Sequence, residues 1–234
     1  QRIELMPELA PLVAVIGCDG SGKSTLAEAL IAHYRAVRPV DTVYLGLKSG
    51  AMGEAIKRWP LVGPTFERYL SKRASQARDV KQKIPGLGTA LVIYGLSLIR
   101  KRRFNRVVAL REAGKLVITD RYPQVEVPGF YDGPGLSAAK PDSQLVALLS
   151  RRERAVYDAM VAYVPSLVIR LNVDVETAIS RKPDHGRALL ERKIAVTPSL
   201  RFGGAPVIDL DGREAFESVK AKAVAAIDAM LLQA

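Results

Sequence analysis

Gly17-Cys18-Asp19-Gly20-Ser21-Gly22-Lys23-Ser24-Thr25 satisfies the pattern G-x-x-x-x-G-K-[ST], a spacing whose chemistry is a cradle for phosphate oxygens. Immediately before it, Leu12-Val13-Ala14-Val15-Ile16 is short, apolar and rich in β-branched residues, the signature of a buried parallel strand. Immediately after it, Leu26, Ala27, Leu30, Ile31 and Tyr34 recur at helical spacing. Strand, loop and helix in that order are the context that confirms the motif. Glycines at 17, 20 and 22 let the backbone turn tightly and aim successive N–H groups inward, toward anionic oxygens at a helix N-terminus. Gly17 through Thr25 are therefore the expected binding residues for a nucleoside triphosphate. Lys23 is expected to bridge the β- and γ-phosphates, and Ser24 to ligate Mg²⁺ with the Thr25 hydroxyl nearby. Cys18 reads as a small filler whose backbone N–H is what counts there.

Further apolar strand candidates follow at Thr42 to Leu45, Leu116 to Thr119, Leu167 to Leu171 and Pro206 to Leu210. Helical stretches separate them, at Ser24 to Val37, Gly86 to Ala113, Ser143 to Tyr163, Glu176 to Arg181 and Glu214 to Leu232. This alternation is the rhythm of an α/β protein with a parallel sheet. Asp174 is placed to cap the helix beginning near Glu176, and Phe216, Val219, Ala223, Ile227 and Met230 form one apolar stripe on the last helix. Two irregular segments, 46–65 and 123–142, leave the carboxyl ends of the second and third strands, where open α/β sheets place ligands. They are expected to shape an acceptor pocket. Trp59 lies in the first, with base stacking and packing under the loop as its two readings.

With 234 residues the chain reads as one domain, 1–234, with room for a large core. A single cysteine excludes an internal disulfide and a cysteine metal cluster and fits a reducing, cytoplasmic setting; no secretory leader is expected. The formal charge of +11 suits anionic small substrates, nucleic acid or an acidic membrane surface equally. No interleaved aromatic platform supports nucleic acid. The run Leu87 to Ile99, followed by Arg100-Lys101-Arg102-Arg103, is too short and too rich in glycine and hydroxyls to span a bilayer. A buried helix with a solvated basic end is expected in preference to peripheral membrane contact.

The third strand ends in Asp120-Arg121-Tyr122, which brings an acid and an arginine to the same sheet edge as the phosphate loop. Asp120 is a candidate to hold Mg²⁺ through water, and Arg121 to fork onto a phosphate. The phosphate loop, this strand end and the basic segment near Arg181 together resemble the thymidylate kinase family of P-loop nucleoside monophosphate kinases, over about residues 11–230. The resemblance implies a five-stranded parallel sheet ordered 2-3-1-4-5, flanked by helices, and a basic lid at about 180–193 that closes over ATP. Under it Arg181 begins the lid and stacks on adenine, while Arg187 or Arg192 neutralises charge during transfer. Family members with no arginine after the phosphate-loop aspartate carry that arginine in the lid, and Gly20 stands at the loop position here.

On the acceptor side the chain departs from the family pattern. The Arg-Glu-Pro segment after the second strand and the Ala-Tyr-Gln segment after the third are absent. A nucleoside monophosphate attacks through an ionised oxygen and needs arginines, here Arg121 with Arg100 or Arg103. An alcohol needs a carboxylate to take its proton, and Asp19, projecting from the phosphate loop, is a candidate for that; the resemblance implies instead a contact with the 3′-hydroxyl of the acceptor sugar. Arg121 tips the reading toward a small phosphorylated, anionic acceptor, with a hydroxyl kinase and a nucleotide-binding regulator as the alternatives. A homodimer is what the resemblance implies for assembly.

Overall fold

In the computed structural model, residues 9–46, 86–138, 140–183 and 186–233 are described. They form a sheet of five parallel strands: β1 (Leu12–Gly17), β2 (Val40–Tyr44), β3 (Leu116–Asp120), β4 (Leu167–Asn172) and β5 (Val207–Asp211). Their order is β2-β3-β1-β4-β5, as the family resemblance implied. Helices α1 (Lys23–Arg35), α2 (Gly86–Glu112), α3 (Gln144–Val161) and α6 (Phe216–Leu231) flank it, and the shorter α4 (Val175–Arg181) and α5 (Arg187–Val196) follow β4.

β1 is buried along its whole length because it lies between β3 and β4 with helices on both faces. Alternate side chains divide the core in two. Leu12, Ala14 and Ile16 pack with Phe104 of α2 and Val156, Tyr157 and Met160 of α3. Val13 and Val15 pack with Leu26, Leu30 and Tyr34 of α1 and Val219, Ala223 and Ile227 of α6. Phe216, the first residue of the expected α6 stripe, is instead 40% exposed at the helix start. Asp174 caps α4 as expected, its carboxylate accepting from the Thr177 N–H at 2.7 Å.

α2 corrects the sequence reading of its basic cluster. Ala90, Ile93, Ser97, Arg100, Phe104, Val107 and Arg111 are buried, three or four residues apart, and make one inward stripe. That phase turns Leu87, Leu91, Leu98 and Ile99 outward and Arg100 inward. Arg100 is 2% exposed, and its guanidinium donates to the Leu45 carbonyl at 2.9 Å, the Asp132 carbonyl at 2.6 Å and the Tyr157 hydroxyl at 2.7 Å. It also pairs with the Asp132 carboxylate. Arg100 therefore belongs to the core, and the clamp on an acceptor phosphate expected of it is not available. Arg103 lies over the Tyr44 ring and donates to the Gly46 carbonyl at the carboxyl end of β2. No helix among the described residues is long and apolar enough to cross a membrane.

Candidate active site

The loop between β1 and α1 closes on itself: the Ser21 N–H donates to the Cys18 carbonyl, and the Leu26 N–H to the Gly22 carbonyl. Lys23, only 6% exposed, donates from Nζ to the Cys18 carbonyl at 3.2 Å and lies 3.8 Å from Asp19 Oδ1. Burial, and then the charge of Arg121, push the Lys23 ammonium below its ordinary pKa; Asp19, Asp120 and Asp132 pull the other way. Cys18 packs in a small cluster with Val173, Ala178 and Leu190, and burial raises its thiol pKa.

The parallel register sets Asp120 beside Val15, two residues before Gly17 opens the loop. There the Ser24 hydroxyl donates to Asp120 Oδ2 at 2.6 Å, while Asp120 Oδ1 is buried with no hydrogen-bond partner. A buried carboxylate oxygen without a donor is costly unless a cation meets it. Gly20 adopts φ +87°, and a Cβ there would stand 2.8 Å from the Ala178 carbonyl of α4. A side chain at that position would meet the α4 backbone, so the loop carries no cation there.

Asp19 is where three elements meet. Its carboxylate takes Arg121 Nη2 at 2.9 Å and, on its other oxygen, Lys193 Nζ from α5. Burial alone would raise its pKa, but Lys193, Arg121 and Lys23 together hold the carboxyl well below the usual range. Arg121 reaches Asp132 Oδ2 at 3.4 Å with a second nitrogen, and its Nε is buried without a partner. Burial opposes its charge, yet Asp132 and Asp19 raise the guanidinium pKa further. Arg121, Tyr131 and Asp132 all hold positive φ, at 76°, 42° and 63°. Backbone strain of this kind persists where the surroundings fix it, and such places cluster at ligand sites. With Ile16, Gly17 and Phe202, these three residues line a small cavity at the carboxyl edge of β1.

The basic residues after β4 are dispersed. Arg181 lies across the phosphate loop, donating to the Gly20 carbonyl at 3.3 Å and to the Gly212 carbonyl beyond β5 at 2.9 Å. Arg187 pairs with Glu176 and sits 3.6 Å from Glu191, at the half-exposed outer side of α5. Arg192 lies 4.3 Å above the Phe130 ring. Among the described residues of the lid segment, Lys193 reaches the loop acid, and sequence reasoning gave it no role. The lid segment was expected to be basic, but its second half is a helix, and helical phase selects the residue that points inward. Asp132 was missed too, because it lies twelve residues beyond Asp120 in a segment without regular periodicity. Of the histidines and the tryptophan, His33 is exposed on α1, while His185 and Trp59 lie outside the described residues, as do positions 47–65 of the first irregular segment.

Comparison with known proteins agrees with this geometry. Over 221 residues the chain is 45% identical to the uncharacterized ATP-binding protein YghS of Escherichia coli K12, covering 94% of this chain and 93% of that protein. The chain belongs to the YghS family. YghR of the same organism, also named an uncharacterized ATP-binding protein, is 42% identical over 217 residues, 92% of this chain and 86% of its own. No protein-family model matches the chain. Among solved structures, deoxyadenosine kinase from M. mycoides with bound dATP aligns with a TM-score of 0.54 and 16% identity, over 93% of this chain and 99% of that one. That likeness concerns the fold, which is the P-loop kinase fold of a five-stranded parallel sheet ordered 2-3-1-4-5.

Proposed function

We propose that this member of the YghS family is an ATP- and Mg²⁺-dependent phosphotransferase of the thymidylate kinase type, acting on a nucleoside monophosphate or a related small phosphorylated acceptor. One observation carries the reading: Ser24 and Asp120 are joined at 2.6 Å where the buried Lys23 begins α1, and the other Asp120 oxygen is buried without a hydrogen-bond partner. Mg²⁺ held by Ser24 and Asp120 would offset charge on the β- and γ-phosphates. The ATP-binding designation of YghS and YghR supports the nucleotide assignment.

The chain's own groups then divide the work. The loop amides and Lys23 seat the β- and γ-phosphates, and Arg181, lying between Gly20 and Gly212, borders the base. Arg121 offers its unpartnered Nε to an anionic acceptor at the strand edge. An ionised acceptor oxygen attacks the γ-phosphorus, a phosphorus–oxygen bond forms, and the bond to the β–γ bridging oxygen breaks, leaving ADP. No proton has to be removed, which accords with an Asp19 carboxyl held at low pKa by cations rather than poised as a base.

The test is ATP consumption with Mg²⁺, with dTMP first, then the other nucleoside monophosphates, then sugars and sugar phosphates. Lys23→Ala should keep its fold and lose about 10²–10³-fold in turnover. Undiminished turnover in folded Lys23→Ala overturns the phosphotransferase reading. Activity confined to unphosphorylated sugars overturns the acceptor class.

A further inference from the structure

We propose that Lys193 on α5 is the lid residue that contacts the γ-phosphate, held ready at that place by Asp19 before nucleotide binds. The inference rests on the ATP-dependent reading above and names the residue that distinguishes a triphosphate from a diphosphate. Of Arg187, Arg192 and Lys193, three cations within two turns of one helix, the fold brings only Lys193 to the phosphate loop, where its ammonium pairs with Asp19 Oδ2. Arg187 is paired with Glu176 on α4 and Arg192 is seated on Phe130, both outside the cradle.

α5 is anchored in this position by packing as well as charge. Leu190 is fully buried against Cys18, Val173 and Ala178, and Ile194 packs on the same cluster. At the end of the helix the Thr197 hydroxyl donates to the Lys193 carbonyl at 2.8 Å and shares a hydrogen bond with the Tyr131 hydroxyl. The Lys193 backbone is thereby tied to the loop that carries Asp132 and faces Arg121. The loop glycines deny any side chain at position 20, so the charge that meets the outer phosphate comes from across the cleft. Asp19 presents an anionic oxygen to Lys193 and to Arg121 simultaneously. It is a positioning residue: a terminal phosphate entering the cradle competes for the same ammonium and finds it desolvated and oriented.

The experiment measures the Mg²⁺-dependent dissociation constants of the non-hydrolysable triphosphate AMP-PNP and of ADP by titration calorimetry, in the full chain. Wild type should prefer AMP-PNP. Lys193→Met should lose about 10- to 100-fold of that preference through weaker AMP-PNP binding, with ADP affinity changed less than about threefold. Lys193→Arg should restore most of it, and Arg187→Met should leave it intact. A merely structural Lys193–Asp19 pair predicts a lower melting temperature and equal losses for both nucleotides, and that result, or an unchanged preference in Lys193→Met, overturns the assignment. Failure of wild type to bind either nucleotide overturns the ATP-dependent reading and this inference with it. Binding by wild type with an unaltered preference in the variant overturns the Lys193 assignment alone.

Discussion

Replacing Gly20 and Gly22 separately by alanine measures how closely the phosphate loop is held against α4. Both glycines sit in the left-handed region, at φ +87° and +91°, so each alanine meets a similar conformational penalty of about 1–2 kcal/mol. Their surroundings differ. A Cβ on Gly22 has nothing within 4 Å, whereas one on Gly20 stands 2.8 Å from the Ala178 carbonyl and 3.2 Å from its Cα, both backbone atoms. Backbone cannot swing aside as a side chain can, so Gly20→Ala has to part the loop from α4 at a further cost of about 1–3 kcal/mol. The expected totals are about 1–2 kcal/mol for Gly22→Ala and about 2–5 kcal/mol for Gly20→Ala. Urea unfolding followed by circular dichroism reads the difference. With an m-value of about 2–3 kcal/mol/M, the two midpoints should differ by roughly 0.3–1.5 M, Gly20→Ala unfolding first. Equal midpoints, or an earlier transition in Gly22→Ala, would refute the close approach of loop and α4, and with it the reason that the loop itself carries no cation at that position.

Acidification should act through Asp19. Its folded-state pKa is depressed below the unfolded carboxyl value of about 3.9, so the stability it adds is complete above about pH 4 and is lost as pH falls toward the folded value. Asp19→Asn should flatten the decline of unfolding free energy below about pH 4; superimposable slopes in the two proteins would contradict this. Arg100→Met removes one of the two cations paired with the buried Asp132 and should destabilise by about 3–5 kcal/mol, a fall in melting temperature of about 6–20 °C. Leu98→Lys, two residues away on the outward side of α2, should change stability by less than about 0.5 kcal/mol in the same calorimetric scan.

Local rules made much of the architecture legible. Each of the five strands lies within about two residues of its expected place, and the helices flanking the sheet begin and end within two residues of theirs. Buried parallel strands are continuous apolar runs, and the phosphate loop is a local motif between a strand and a helix. Asp120 and Ser24 were both named from such motifs. Their meeting at 2.6 Å follows from the pairing of β1 with β3, which strand order decides.

α2 shows where local reading ends. A leucine-rich run before four basic residues suggests an apolar segment with a solvated charged end, yet the side of a helix that becomes interior depends on what packs against it. Seven buried positions from Ala90 to Arg111 face the core, and they include Arg100 because Asp132, Tyr157 and the Leu45 carbonyl supply its acceptors from three other parts of the chain. Asp132, Lys193 and the Thr197–Tyr131 hydrogen bond escaped sequence reading for the same reason.

By itself, the sequence determined the alternation of strand and helix, the phosphate cradle and the residues at the strand ends, because strand, turn and helix preferences act over a few neighbouring residues. Only the tertiary structure decided which cations are buried supports and which face the cradle. Charge carries no periodic signature, and the partner that fixes each charged group comes from a distant part of the chain.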